Sequence, residues 1–427
     1  MSGPAKRRAT RARGLVIDIE PLRRDVDFRR LWVGQSISVI GNQITRVALP
    51  YQVYVLTGST LALAGLVLTQ LIPMLLFGLG GGAIADALDR RRVLLAAQAG
   101  LAITSLTLAV LSLQDQPSIP LLFIVAFVGA GFMAFEAPAR SSAIPRLVPR
   151  ERLRAAIALG QLSFNGGSVL GPALAGVLIA TTGVAGAFAV DVATYGLSLA
   201  TIVGMRPIAP IGLPARPGLA AIREGLRFVR ARRLIMSTFA IDLNAMIFGS
   251  PQTLYPVLAL DVFKVGPVGL GLLASAPAAG AFLAIVLSGG ISRVRHVGRG
   301  ILLAVTGWGL AILLFGLSTA FFSLALIFLA IAGAADVISA VLRSSVVLME
   351  TPDELRGRVA SIQMLVVRSG PQIGDMEAAL VASAIGAQLS VISGGLLCLI
   401  GVLVVARLFP ELDAHVVEPE APEPMPA

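Results

Sequence analysis

The stretch Arg140-Ser141-Ser142-Ala143-Ile144-Pro145-Arg146-Leu147-Val148-Pro149-Arg150-Glu151 returns 203 positions later as Arg343-Ser344-Ser345-Val346-Val347-Leu348-Met349-Glu350-Thr351-Pro352-Asp353-Glu354. The two copies share Arg-Ser-Ser at the start, then Pro149 with Pro352 and Glu151 with Glu354. The same offset aligns Gly167 with Gly370 and Gly171 with Gly374. Matches at one fixed spacing around one polar loop mark an internal duplication, with each copy a structural unit in the same orientation.

On either side of each copy the chain is apolar. Of its 427 residues 56% are hydrophobic and only 14% charged, where a soluble domain averages about 25% charged. Twelve apolar stretches stand out, at 31–56, 60–81, 92–113, 119–139, 156–180, 184–205, 233–258, 267–288, 300–318, 321–343, 359–385 and 387–408. Each is long enough to span a bilayer, which takes about 20 residues of helix. The expected fold is therefore all-α and integral to the membrane, with twelve transmembrane helices as two six-helix pseudo-repeats. Parallel repeats of this kind occur in secondary transporters.

Composition removes several other classes. Cys398 is the single cysteine, and His296 and His415 are the only histidines. That leaves no disulfide, no zinc or iron–sulfur cluster and no basis for a Ser-His-Asp triad. Neither lysine, Lys6 or Lys264, follows a phosphate-binding glycine loop. No metal and no cofactor is expected.

The net charge of +10 suggests nucleic acid until the arginines are placed. With the N-terminus inside, 31 of the 34 Lys and Arg residues fall in cytoplasmic segments. Lys264 falls outside, and Arg46 and Arg368 lie within spans. Such asymmetry in short loops is the positive-inside rule, so the charge sets topology and no nucleic-acid partner is expected. The first 30 residues have no apolar run ahead of a cleavage site and read as a cytoplasmic tail. The expected organisation is that tail, a six-helix half at 31–205, a cytoplasmic linker at 206–232, a second half at 233–408 and a C-terminal tail at 409–427. That last tail, rich in Pro and Glu from Glu411, reads as disordered. The linker carries Arg223, Arg227 and Arg230 beside Leu226 and Phe228, as an amphipathic helix lying at the interface would.

Between the second and third spans lies Gly82-Ala83-Ile84-Ala85-Asp86-Ala87-Leu88-Asp89-Arg90-Arg91-Arg92. Gly82 permits close helix approach, Asp86 and Asp89 suit helix N-termini or pairing with arginine, and the arginines hold the cytoplasmic face. The fifth apolar stretch carries Gly167, Gly171, Pro172 and Gly176. Small residues four apart make a groove for a neighbouring helix, and Pro172 removes one backbone hydrogen bond.

These two motifs resemble those of the major facilitator superfamily. The resemblance covers about residues 27–410 and takes in Phe28-Arg29-Arg30-Leu31-Trp32, Val47-Ala48-Leu49-Pro50, Tyr255-Pro256 and the segment Pro352 to Val359. It is nearest to the exporter branch that contains the enterobactin exporter and related bacterial drug-efflux proteins. The resemblance implies that Gly82, Asp86, Asp89, Arg90 and Arg91 act as a latch between the halves. It implies too that the Gly-Pro motif of Gly167, Gly171, Pro172 and Gly176 belongs to an antiporter. Two departures stand out: Ala87 where the family has Arg or Lys, and Ala175 where a second glycine is usual.

Ionisable residues inside spans are costly and face a cavity or a partner. The first span has Asn42, Gln43 and Arg46, the fourth Glu136, the seventh Asp242 and Asn244, and the tenth Asp336. In the family fold these spans line the central cavity. Asp242 lies about 14 Å and Asp336 about 10 Å from the inner ends of their spans, at 1.5 Å per residue. At those depths they can share one water-filled site and hold a proton between them. The alternative is a carboxylate hydrogen-bonded to hydroxyls or backbone that merely holds helices together. The eleventh span carries Arg368, Gln372 and Asp375 on one face and Glu377 off it. Arg368 and Asp375 are about 10.5 Å apart along the axis, so their partners come from neighbours, with Arg46 and Asp191 as candidates.

The expected protein is thus a secondary active transporter of the cytoplasmic membrane, with both termini inside. It acts by alternating access as a monomer and exports a siderophore or an amphipathic drug-like small molecule. Proton coupling is assigned to Asp242, Asp336, Asp375 and Glu377, and the substrate cavity to Asn42, Gln43, Arg46, Glu136, Asn244, Arg368 and Gln372. An uptake symporter on the same fold and a membrane enzyme acting on lipid-linked substrates are the competing readings. No enzymatic cluster supports the last.

Overall fold

The computed structural model describes residues 18–208, 219–287 and 295–416, and for 78–87 and 219–222 it describes only the helical path. Helices account for the described chain, and no strand occurs among the described residues. In chain order they are α1 (Glu20–Arg24), α2 (Val26–Thr57), α3 (Thr60–Ala87), α4 (Arg90–Leu111), α5 (Ile119–Leu147) and α6 (Leu153–Val203). There follow α7 (Leu219–Ala231), α8 (Arg233–Phe248), α9 (Gly266–Val286), α10 (Val297–Leu317), α11 (Phe322–Glu350), α12 (Asp353–Ile385), α13 (Ala387–Leu408) and α14 (Pro410–Ala414).

Every expected apolar stretch falls on a helix over most of its described length. Stretches 156–180 and 184–205 lie on the single run α6, which leaves helical geometry at Gly183, with φ 74° and ψ 179°. That backbone region is open essentially to glycine alone, so Gly183 is the turn between two helices. Nine helices among the described residues are long and apolar enough to cross a membrane, with 150–203 counted as one. The polar helices α2 and α12 fall short of that measure because they carry the charged and amide residues singled out above. Ile103, Leu303 and Leu403 are 64%, 71% and 59% exposed while Glu136, Asp191 and Asp242 are buried. An apolar exterior over polar buried groups is the inverse of a soluble protein and suits lipid as solvent.

Two compact units are formed, one from residues 1–48 and 72–215 and the other from 49–71 and 216–427. The cut falls inside the 206–232 linker, but the C-terminal end of α2 and the start of α3 group with the second unit. Helices α2 and α3 carry Pro50 and Pro73 within two residues of those boundaries. In the first unit α4 packs on α5 and α6, around Leu31, Leu94, Ala139 and Ile202. In the second, α10 packs on α11 and α13, and α9 on α11, around Ile241, Ile301, Val305, Leu342 and Cys398.

The sequence repeat is a repeat of contacts. A Cβ on Gly171 would meet Gln43, and a Cβ on Gly374 would meet the carbonyl of Met246; residues 43 and 246 are themselves 203 apart. Arg30 donates to the Gly204 carbonyl and Arg233 to that of Leu408 at 2.7 Å, again at the repeat offset for the arginine. In each unit a guanidinium from the first long helix caps the carbonyl end of the last, as the helix dipole favours.

Two boundaries differ from expectation. Helix α8 stops at Phe248, and 252–262 continues as a 3-10 turn, one α turn and a π turn. Pro251 supplies no N–H at the break, and the Gly249 carbonyl instead accepts from Trp308 Nε1 at 3.0 Å. The tail expected to be disordered from Glu411 forms α14. Leu412 is fully buried in the second unit's core, and Glu411 and Asp413 pair with Arg233 and Arg299 at 2.8 and 3.2 Å. Its Pro and Glu content concealed one well-placed leucine; residues 417–427 lie outside the described ones.

Candidate transport site

Asp336, Ser339 and Arg343 occupy one face of α11, at spacings of three and four residues. Arg343 donates to Ser339 Oγ at 2.7 Å. It also meets Asp242 of α8 at 2.7 Å, with both side chains 6% exposed. Asp336 lies within electrostatic reach of both Arg343 and Asp242. The structure therefore pairs Asp242 of α8 with a guanidinium of α11 and leaves Asp336, about two turns before it on the same face, within their electrostatic reach. Arg343 had been counted only as a cytoplasmic charge. The signal that would have promoted it was its place at the head of the repeat.

Its equivalent in the first unit, Arg140, pairs four residues back along its own helix with Glu136 at 2.8 Å. Gln98 adds a long contact to Glu136 at 3.4 Å. At the repeat offset, Ser339 stands where Glu136 does, and Val39 stands where Asp242 does. The arginine has been kept in both units while its carboxylate has changed helix. Glu136 is thus held in a buried ion pair.

The remaining expected residues are distributed differently. Asp375 accepts from the Thr253 backbone N–H at 2.9 Å, which places it beyond the break that follows α8 and away from Asp242. Glu377 and Gln372 are half-buried on α12, and Arg368 is exposed. Asn244 donates to the Cys398 carbonyl at 2.9 Å and so ties α8 to α13. Gln43 donates to Ser168 Oγ at 3.0 Å, where its stem also backs Gly171. Asn42 is half-buried and Arg46 exposed on α2. Gly167 packs on Val39 of α2, and Pro172 and Gly176 are buried on α6.

Asp89 is the N-cap of α4, accepting from Arg91 N at 2.9 Å and from Ile208 N at 3.2 Å. Arg90 is buried and donates to Ser142 at 3.2 Å, and Arg91 donates to the Ile202 and Val203 carbonyls at 3.2 and 2.6 Å. These bonds tie α4 to the ends of α5 and α6 within the first unit. Gly82 and Asp86 lie outside the residues whose side chains are described.

Two further constellations escaped the sequence reading. Asp191, buried on α6, accepts from Thr45 and Ser105 at 2.6 Å each and from Thr194 at 3.3 Å. Three hydroxyls satisfy it, where an arginine had been sought. Tyr54, near the C-terminal end of α2, donates to Asp261 in the π turn; both residues belong to the second unit.

A helical chain with an apolar exterior and buried charge, carrying an internal sequence repeat, suits a major facilitator transporter. The nucleoside transporter NupG superposes with a TM-score of 0.68 at 14% identity, over 91% of this chain and 99% of that one. A POT family transporter solved with 5-aminolevulinic acid gives 0.71 at 15% identity, over 90% and 96%. The family model described as transmembrane secretion effector matches residues 17–427, and the chain belongs to that family. It is 28% identical over 399 residues to the enterobactin exporter EntS of Shigella boydii serotype 4 (strain Sb227), covering 92% of this chain and 94% of that protein. The same figures hold for the EntS of Escherichia coli O81 (strain ED1a). The protein is a multi-pass membrane transporter of a small molecule, and its relatives are transporters rather than enzymes.

Proposed function

We propose that the protein is a proton-coupled exporter of a siderophore or an amphipathic drug-like molecule. It crosses the inner membrane twelve times as a monomer, with both termini in the cytoplasm. The observation that carries this reading is the pair of carboxylates, Asp242 and Asp336, facing the single guanidinium of Arg343. With both acids ionised the cluster holds one uncompensated negative charge in a medium that tolerates it poorly. A proton can balance that charge. Taking it up and releasing it on opposite sides of the membrane would bias alternating access, as a secondary transporter requires.

Export is supported by the relatives' role and by the glycines of α6 packed on α2. Asn42, Gln43, Arg46, Asn244, Arg368 and Gln372 are assigned to substrate contact. Arg46 and Arg368 suit an anionic group such as a catecholate. Asp375 and Glu377 are secondary proton candidates, and Asp89, Arg90 and Arg91 the conformational latch.

The test is accumulation in inverted vesicles with and without an imposed proton gradient, over a panel of siderophores, macrolides, tetracyclines and cationic dyes. Gradient-driven accumulation of one class, lost in Asp336→Asn, supports the reading. Accumulation in the opposite direction would make the protein an uptake symporter, and none from any compound in folded protein would remove the assignment.

A further inference from the structure

Helix α7 has one face committed to the protein and the opposite face committed to nothing among the described residues. Gly225 and Val229, one turn apart, are buried against Arg358 and Ile362 of α12 and Ile235 of α8. Glu224 holds the docked position by an ion pair with Arg358. Arg223, Arg227 and Arg230 follow at spacings of four and three residues and form one stripe. At 100° per residue that stripe points about 150° away from the Gly225–Val229 face. All three are exposed, and none has an ion-pair partner among the described residues. Leu226, an exposed apolar side chain, lies on the edge of the same stripe.

The position of the helix decides what the stripe meets. Helix α7 ends at Ala231 and α8 begins at Arg233, so Arg230 sits within one turn of an apolar helix long enough to cross the membrane. Arg232 is folded onto Phe228, 5.6 Å from its ring centre, and Arg233 is taken by Glu411 and the Leu408 carbonyl. The stripe is thus left to the headgroup layer. Three guanidiniums along about 10.5 Å of axis, with a leucine beside them, match a layer of phosphates over acyl chains. Guanidinium binds phosphate oxygens with two parallel hydrogen bonds.

We propose that Arg223, Arg227 and Arg230 form a docking surface for anionic phospholipid headgroups of the leaflet that faces α7. Basic residues near a charged leaflet attract its lipids within a Debye length. The docked face, by contrast, keeps the helix fixed on α8 and α12. This inference stands apart from the direction and coupling of transport, because its measure is lipid binding.

The experiment uses the full chain in vesicles of phosphatidylcholine containing a trace of spin-labelled phosphatidylglycerol or spin-labelled phosphatidylcholine. The protein-immobilised fraction of each probe is read by electron spin resonance. The expected result is a preference for phosphatidylglycerol of about fivefold, the size of one basic contact near the surface. It should fall towards parity in 1 M salt and in the triple variant R223Q/R227Q/R230Q. The triple lysine variant R223K/R227K/R230K, which keeps the charge, should retain the preference. Equal preference in wild type and the glutamine variant overturns the proposal and assigns the selectivity to other basic loops. Loss in the lysine variant with the helix still docked assigns the preference to guanidinium geometry at the same three positions, and loss with the helix undocked overturns the proposal. A stripe that serves an acidic soluble partner instead would show no preference for phosphatidylglycerol in wild type.

Discussion

Arg343 reaches from α11 to Asp242 on α8 at 2.7 Å, whereas Arg140, its equivalent in the repeat, stays on its own helix with Glu136 at 2.8 Å. The first arrangement couples two helices, and Asp336 adds a further acid within the electrostatic reach of Arg343. The second is local and holds one helix face in order. Duplication supplied the arginine twice, and divergence of its partners left the second unit with the acid that a single guanidinium does not balance.

Breaking that pair should be costly while removing it whole should not. A buried charge left without its partner destabilises by about 3–5 kcal/mol, and replacing both members with apolar side chains is often neutral. The expected outcome is a large drop in melting temperature for Arg343→Leu, which strands Asp242, a smaller drop for Asp242→Leu, where Asp336 stays within reach of the arginine, and recovery of most of the arginine's loss in the double variant. Thermal unfolding in one detergent, followed by the tryptophan signal, checks this. Additive losses in the double variant would mean that the two residues do not depend on each other.

The glycines of the repeat act as contact surfaces. Gly374 lies against the Met246 carbonyl, where a side chain has no room, while nothing lies within 4 Å of a Cβ built on Gly160. Gly374→Leu should therefore cost about 1–3 kcal/mol by overpacking. Gly160→Ala should be tolerated or gain up to about 1 kcal/mol of helix propensity. A comparison of melting temperatures within this pair separates contact from flexibility, because flexibility alone predicts the same sign at both positions.

Much of this was legible in the sequence, for physical reasons that differ by feature. Lipid demands continuous apolar helices, so the twelve stretches could be read directly. The 203-residue offset was legible at Gly171 and Gly374 because each backs a neighbouring helix where a side chain has no room. Asp242 and Asp336 could be named together because depth and the family fold put both near one cavity, and the structure adds Arg343 beside Asp242. Arg343 was hidden because topology already explained its charge, and Asp191 because its partners are hydroxyls scattered over three helices. Tyr54 and Asp261 are 207 residues apart, with no pattern to join them. The α14 docking rests on Leu412 and on the ion pairs of Glu411 and Asp413, in a segment whose composition argued for disorder.

Asp89 offers a test of the loop that the motif defines. It accepts from Arg91 N as the cap of α4 and from Ile208 N, which joins that cap to the segment after α6. Asp89→Ala should lose about 1–2 kcal/mol, within the range of an N-cap removal, and Asp89→Asn should lose much less because the amide oxygen still accepts. Equal losses in both variants, measured by thermal unfolding, would show that the negative charge matters more than the hydrogen bonds.

The coupling assignment makes the sharpest demand on transport. If the proton is shared by Asp336 and Asp242 opposite one arginine, Asp336→Asn leaves the Asp242–Arg343 pair intact and removes only the excess charge. Gradient-driven accumulation in inverted vesicles should fall to the level of vesicles lacking the protein. Exchange of labelled for unlabelled substrate without a gradient should continue, and its rate should lose its dependence on pH. Arg343→Lys keeps the positive charge and should remain coupled. Asp242→Asn hands the arginine to Asp336, which again leaves no excess charge, so it should uncouple in the same way. The two asparagine variants should therefore share one transport phenotype although they differ in stability. An Asp336→Asn protein that still concentrates substrate against a gradient would move the proton site elsewhere, and Asp375, bonded to Thr253 N–H on the far side of the α8 break, would be the next position to change.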